Sequence, residues 1–416
     1  MFPSTFVRYL ILIPFIALLF AGFAVPSDGS HGILSIKSLA YLSTIVSLCF
    51  YLLIRRSFNF EQWKLLCFLL GSAAFFGVWA IIGILYSETS PVVILEQFKI
   101  FWLTVSVAII SIYYVSDRVI SFQSLLKTVI SINFIYSLVK VLVVTLHAFK
   151  IIELWKYVEI YGIRYMSMDI FDSSLARFQT SIDIVTPFLL FFFLQSKDLG
   201  IKWSKLFQII YPIVTLGAVF LSFSRFLIFV TILSFMLHAF TLKMNKLLVI
   251  IPIAIAAIIY SFSLIGFENV YKVIEKRFFS SDSFFSDQTR TYQINYLTKE
   301  FLEYPIFGKG LGGYVKDEVR DPILPYSYEV QWAATLMQFG MAGLLLILFP
   351  LYLIGKSLLD SPLNKHKVAF FILFLSWLAS GFTNPFLLSL ASGIIYSLFY
   401  LTGKVLSHEK SLARPC

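Results

Sequence analysis

The sequence predicts an all-α polytopic membrane protein, and three observations carry that prediction. Hydrophobic residues make up 59% of the chain and charged residues only 13%, where a soluble domain carries about a quarter. Apolar runs of about 17 or more residues recur along it, and about 20 apolar residues cross a hydrocarbon core. Lysines and arginines crowd alternate connections between those runs, as cytoplasmic loops do. The expected architecture is about twelve transmembrane helices, with one long loop between the ninth and the tenth.

The first run covers about Tyr9 to Val25, after Arg8. It reads as a first span rather than a cleaved signal, because it is long for such a segment and many spans follow. A second covers Ser38 to Ile54 and stops at Arg55 and Arg56. The third runs from Leu65 to Tyr86, the fourth from Ile100 to Val115, and the fifth from Leu125 to Phe149. A polar interval at about 150–179 follows, holding Arg164, Asp169, Asp172 and Arg177. The sixth run is Thr180 to Gln195. From Leu206 to Phe240 the chain is apolar for long enough to pass twice, with Ser224 and Arg225 near the midpoint. A ninth run covers Leu247 to Ile265. Residues 1–265 thus form spans one to nine, and 266–327 the long loop. Residues 328–416 form spans ten to twelve (Glu329–Ile354, Val368–Phe382, Phe386–Thr402) and a basic tail.

An even span count puts both termini on one side. Placing them in the cytoplasm puts Arg8, Arg55, Arg56, Arg118, Lys197 and Lys404 inside with them. The same rule accounts for the net charge of +10 without nucleic acid as a partner. Arg177, Arg225, Arg290 and Glu329 then face outside. Three cysteines and five scattered histidines offer neither a disulfide framework nor metal-ligand spacing.

The stretch from Asp287 to Gly343, together with Arg225, contains the residues best suited to chemistry. Arg225, in LSFSRFLIF, has no acidic residue close to it in sequence. It reads as a boundary anchor reaching the headgroups or, favoured here, as an anion-binding group facing a cavity. Arg290 follows Asp287-Gln288-Thr289, which offer N-caps to a short amphipathic helix with Ile294, Leu297 and Phe301 on one face. A cation in a first turn opposes the helix dipole; a bound anion would reverse that penalty. Gly308, Gly310, Gly312 and Gly313 read as a tight turn permitting close backbone approach, not as a dinucleotide fingerprint, because no strand precedes them. Glu329, among tyrosines at the entry to span ten, reads as a candidate general base or as a dipole-favoured carboxylate. Asn133, Lys140 and His147 recur every seven residues in span five, lining a cavity or packing on a neighbour. Arg177 could pair with Asp183, one turn into span six, or with Asp172.

Taken in order, these pieces resemble the superfamily of O-antigen ligases and O-antigen polymerases. The matching residues are Ser224-Arg225, the block from Arg290 through Pro305 to Gly308-x-Gly310, and the helix carrying Gln338-Phe339-Gly340-Met341-Ala342-Gly343. The resemblance implies a GT-C-like glycosyltransferase of the bacterial inner membrane. Such an enzyme uses neither metal nor nucleotide sugar, and takes a glycan from undecaprenyl pyrophosphate on the periplasmic face. It implies that Arg225, Arg290 and, more weakly, Arg177 hold the pyrophosphate, with Tyr292 and Lys309 as further substrate contacts. Ligases of the superfamily usually carry a histidine near the position of Glu329, and no histidine occurs in this loop. That difference favours a polymerase with Arg225, Arg290 and Glu329 as catalytic residues, working with a protein that sets chain length. The alternatives are a ligase delivering polysaccharide to lipid A–core and, from another class, a lipid-linked oligosaccharide flippase or transporter.

Overall fold

A computed structural model describes residues 5–26, 35–55, 58–87, 89–154, 156, 166–170, 175–242, 281–319 and 324–408. Its first five helices are α1 (Thr5–Phe23), α2 (Ile36–Ile54), α3 (Phe60–Tyr86), α4 (Pro91–Ser116) and α5 (Phe122–Ala148). Local chemistry sets their starts. Asn59 and Gln62 form a reciprocal capping box ahead of α3, Pro91 occupies the first turn of α4, and Ser121 caps α5 through the Ser124 amide. Polar residues near their starts, Glu61, Gln62 and Lys64 in α3 and Glu96, Gln97 and Lys99 in α4, mean that both helices begin before the apolar runs that announce them.

The polar interval at 150–179 contains an antiparallel hairpin, β1 (Met166–Ile170) with β2 (Leu175–Gln179). It is an exception to the all-α expectation. After it, the expected sixth span is half non-helical: α6 covers only Thr186–Leu194. Nine residues rise about 14 Å, well short of a membrane crossing. The preceding residues turn instead because the Asp183 carboxylate accepts the Thr180 backbone N–H at 2.7 Å. Helix α6 is apolar on every side and buried on every side. Phe188 packs edge-on to Trp377, and Phe191 and Phe192 pack on Phe370.

The long apolar stretch after it breaks where expected, into α7 (Lys205–Phe220) and α8 (Arg225–Thr241). The expected ninth span, Leu247–Ile265, lies outside the described residues. Beyond it come α9 (Ser281–Glu303), α10 (Gln331–Leu359), α11 (Lys365–Ala379) and α12 (Leu390–His408). Among the described residues six helices (α2, α3, α4, α5, α10 and α12) are long and apolar enough to cross a membrane. With the shorter apolar helices α1, α7 and α8 they make a multi-pass α-helical membrane protein. Its outer surface is correspondingly apolar, with Leu53, Leu70, Leu85 and Phe229 exposed.

Two ends of the bundle are distinguished by contacts. At one, Lys365 Nζ donates to the Leu242 carbonyl, and buried Lys367 donates to the Asp360 carbonyl and to Ser407. That end joins the C-termini of α8, α10 and α12 to the start of α11. At the other, Trp332 Nε1 donates to the Leu378 carbonyl and Gly22 packs on Leu390. The first turn of α8, with Arg225, and the residues leading into α10, with Glu329, belong to this second end.

Candidate active site

Helix α10 is broken at Gly340, whose φ of 62° and ψ of −172° interrupt the helical ladder. A break inside an apolar span strands backbone groups that lipid cannot satisfy. The turn from Pro305 to Gly313 fills it. Lys309 and Gly310 donate their N–H groups to the carbonyls of Met337 and Gln338 at 3.0 and 2.8 Å. Met341 and Ala342 donate theirs to the carbonyls of Pro305 and Ile306 at 2.9 and 3.0 Å. Trp79 of α3 donates Nε1 to the carbonyls of Phe307 and Phe339. Buried amides complete the lock: Gln97 Nε2 donates to Gln338 Oε1 at 2.8 Å and Gln338 Nε2 to the Gly313 carbonyl at 2.9 Å, while Gly312 N–H donates to Gln97 Oε1.

The glycines of this turn are therefore structural. A Cβ on Gly310 would collide with the backbone of Gly83, and one on Gly340 with the Ile306 carbonyl. Gly340→Ala is expected to lower stability by roughly 1–3 kcal/mol from backbone strain alone, and more from that collision. Gly71→Ala, in α3 with open space around it, should instead gain up to about 1 kcal/mol. Thermal midpoints of the two purified variants, taken at one scan rate, check both signs.

The turn anchors the next layer. Helix α9 lies on α10 and turns Arg290, Gln293, Leu297 and Glu300 inward. Arg290 Nε donates to Glu329 Oε2 at 2.9 Å, with the two side chains 22% and 15% exposed. Gln293 Oε1 accepts the Glu329 N–H at 3.0 Å, and Lys309 pairs with Glu300. Leu297 joins Val315, Tyr328 and Met337 in a small apolar cluster. The Tyr328 hydroxyl accepts the Val315 N–H at 2.7 Å. Burial pushes this phenol up to about 12, so it remains protonated at neutral pH and is no base.

Two expectations for this helix are corrected. It starts at Ser281, so Arg290 sits in its third turn, and Asp287 to Thr289 are not its caps. Ile294 is also exposed rather than inward, because the ion pairs to Glu329 and Lys309 select a different face. Tyr292 lies on the exposed side, where its hydroxyl accepts from Gln288 Nε2 at 3.0 Å. Lys309, paired to Glu300, also lies 5.9 Å from the Tyr304 ring.

The first-turn arrangement foreseen for Arg290 occurs at Arg225. That residue opens α8, and its N-cap Ser224 makes no side-chain capping hydrogen bond. The first N–H groups of a helix have no partner within it, so backbone donors and a guanidinium share one place. The connection from α7 is tight, and buried Phe223 holds a φ of 45°. A bulky residue with positive φ is a strained outlier of the kind found at functional sites. The N–H of Phe178, in β2, donates to the Leu221 carbonyl of this connection at 3.1 Å. The strand bearing Arg177 thereby lies beside the turn bearing Arg225.

Span five resolves into packing contacts. Asn133 Nδ2 donates to Thr186 Oγ1 and Oδ1 accepts from the Tyr211 hydroxyl, while Leu154 N–H donates to His147 Nδ1. Lys140 pairs with Asp183 at 2.7 Å; the Arg177 side chain, expected to pair with Asp183 or Asp172, lies outside the described side chains. Beside them an apolar groove of about 430 Å³ runs between α1, α5 and β2, lined by Phe20, Ala24, Ile135, Val139, Leu154 and Phe178 among others. Sequence reasoning missed Trp79, Gln97 and Gln293. Gln97 and Gln293 carried a signal, since a glutamine at a buried helical position is costly unless bonded.

No curated protein matches the chain. A family model described as O-antigen ligase matches residues 210–348, the stretch from within α7 through α8, α9 and the turn to beyond the break in α10. Over those residues the chain is similar to the O-antigen ligase family, which supports a place in the superfamily of O-antigen ligases and polymerases and a membrane glycosyltransferase-like activity in general.

Proposed function

We propose that the protein polymerises undecaprenyl-pyrophosphate-linked oligosaccharide repeat units of a surface polysaccharide on the periplasmic face of the bacterial inner membrane. The observation that carries this reading is Arg225 in the uncapped first turn of α8, at the bundle end that also holds the Arg290–Glu329 pair. Guanidinium and helix N–H groups together suit a pyrophosphate. The apolar groove beside β2 suits the polyprenyl chain that carries it.

In the reaction an acceptor sugar hydroxyl attacks the anomeric carbon of the donor glycan. The carbon–oxygen bond to pyrophosphate breaks as the new glycosidic bond forms. Arg225 and Arg290, with Arg177 in support, stabilise the charge gathering on the departing undecaprenyl pyrophosphate. Glu329 takes the acceptor proton. Tyr292 and Lys309 are weaker candidates, at the exposed face of α9 and in the packed turn. Both chain termini then lie in the cytoplasm, and a chain-length regulator is the natural protein partner.

The second reading is ligation of finished polysaccharide to lipid A–core, favoured by the description of the matching family. A deletion strain separates the two. Loss of a polymerase leaves single repeat units on the core, and this is the expected glycolipid pattern. Polymer retained on the lipid carrier would assign the protein as a ligase, and an unchanged ladder would exclude both readings.

A further inference from the structure

The Lys140–Asp183 pair is the most enclosed charge pair among the described residues, with each side chain 1% exposed, and the proposed reaction makes no use of it. Its bonding shows what it holds. Asp183 Oδ1 accepts from Lys140 Nζ at 2.7 Å and from the Tyr136 hydroxyl at 3.1 Å. Oδ2 accepts the Thr180 N–H at 2.7 Å. The Thr180 hydroxyl bonds Tyr136 in turn and accepts the Ile182 N–H. Thr180 directly follows β2, and β2 reaches the Arg225 connection through the Phe178–Leu221 hydrogen bond. One carboxylate thus ties the rigid helix α5 to the strand bearing Arg177 and, through it, to the turn bearing Arg225. Replacing a buried ion pair by apolar residues of similar size is often neutral for stability, so stability alone does not explain why charges are placed here.

We propose that Lys140 and Asp183 are positioning residues that hold β2 against the Arg225 turn and so set the pyrophosphate site. This rests on the arginines binding the donor, as proposed above. Asp183 is the working member, because its carboxylate accepts the backbone N–H of Thr180, the residue that directly follows the strand. Lys140 and Tyr136 orient that carboxylate so that Oδ2 faces the Thr180 amide.

The test compares two double variants in detergent or nanodiscs: Lys140→Met with Asp183→Asn, which keeps an oxygen for Thr180, and Lys140→Met with Asp183→Leu, which deletes it. Hydrogen–deuterium exchange is read on the peptide spanning 175–180. Donor KM and kcat are read with purified lipid-linked repeat units. The leucine pair should exchange at least about tenfold faster at Phe178 and raise donor KM about tenfold, with kcat within about threefold. The asparagine pair should stay close to wild type in both. Tyr136→Phe, which keeps the ion pair, is the milder variant should the leucine pair fail to fold, and a smaller increase of the same sign is expected. Wild-type exchange at Phe178 in the leucine pair, or in Tyr136→Phe if that pair does not fold, overturns the clamp. Faster exchange with unchanged KM overturns its role in the donor site. Absence of transfer by the unmutated protein would count against the proposed function and leave the exchange result standing.

Discussion

Arg225→Ala is expected to lower glycan transfer by about a hundred- to a thousand-fold, the usual cost of deleting one preorganised donor to a developing anion. The residue stands in the first turn of α8, where a cation opposes the helix dipole. A pyrophosphate bound there would interact favourably with both the guanidinium and the helix N–H groups. Arg225→Lys should recover only part of the loss, since an ammonium is a point charge and lacks the planar two-pronged donor geometry. The measurement is transfer per folded molecule, with folding checked by a monodisperse elution profile. Alanine and wild type within about threefold of each other would remove Arg225 from the site. The ladder of a deletion strain complemented with the same variant gives the cellular counterpart, which should match that of the uncomplemented strain.

Much of this protein is legible from its sequence, and the illegible parts share one physical cause. The break between α7 and α8 at Ser224-Arg225 is local, written in a polar dipeptide inside an apolar run, and the structure has it there. The close backbone approach read from the glycines around Gly310 is equally local in origin, because only residues without Cβ fit such a path. What the turn approaches is not local. Gln97 meets Gln338 across 241 positions and Trp79 meets Phe307 across 228, distances over which periodicity carries no information. The sixth span fails for the same reason. Its apolar content predicts a crossing helix, yet Asp183 bonds Lys140, 43 positions away, and the chain before Thr186 turns instead. In candidate-site terms, residue types were readable and partners were not: Arg290 and Glu329 stand out singly in the sequence, and only the fold joins them.

That junction makes the second large effect specific. Glu329→Gln keeps an oxygen able to accept from Arg290 Nε and removes the proton acceptor, so it separates a base from a brace. With Glu329 as the general base, turnover should fall by about a hundredfold or more, and Arg290→Ala should fall comparably through loss of charge stabilisation. Residues serving one step are strongly non-additive, so the double variant should be little worse than the poorer single one. The structure offers a definite competing account. Glu329 binds Arg290 at 2.9 Å, and Gln293 holds its backbone amide at 3.0 Å, which together are enough to aim a guanidinium. If Glu329→Gln retains full chain-length polymer while Arg290→Ala does not, the carboxylate is a brace and the acceptor proton leaves by another route. The readout is polymer length and initial rate on purified lipid-linked repeats. Arg290→Lys belongs in the same series, because the Arg290–Glu329 bond runs through Nε. A lysine lacks that donor and its two-pronged fork, so activity retained by lysine would show that charge at this position, rather than its geometry, serves the leaving group.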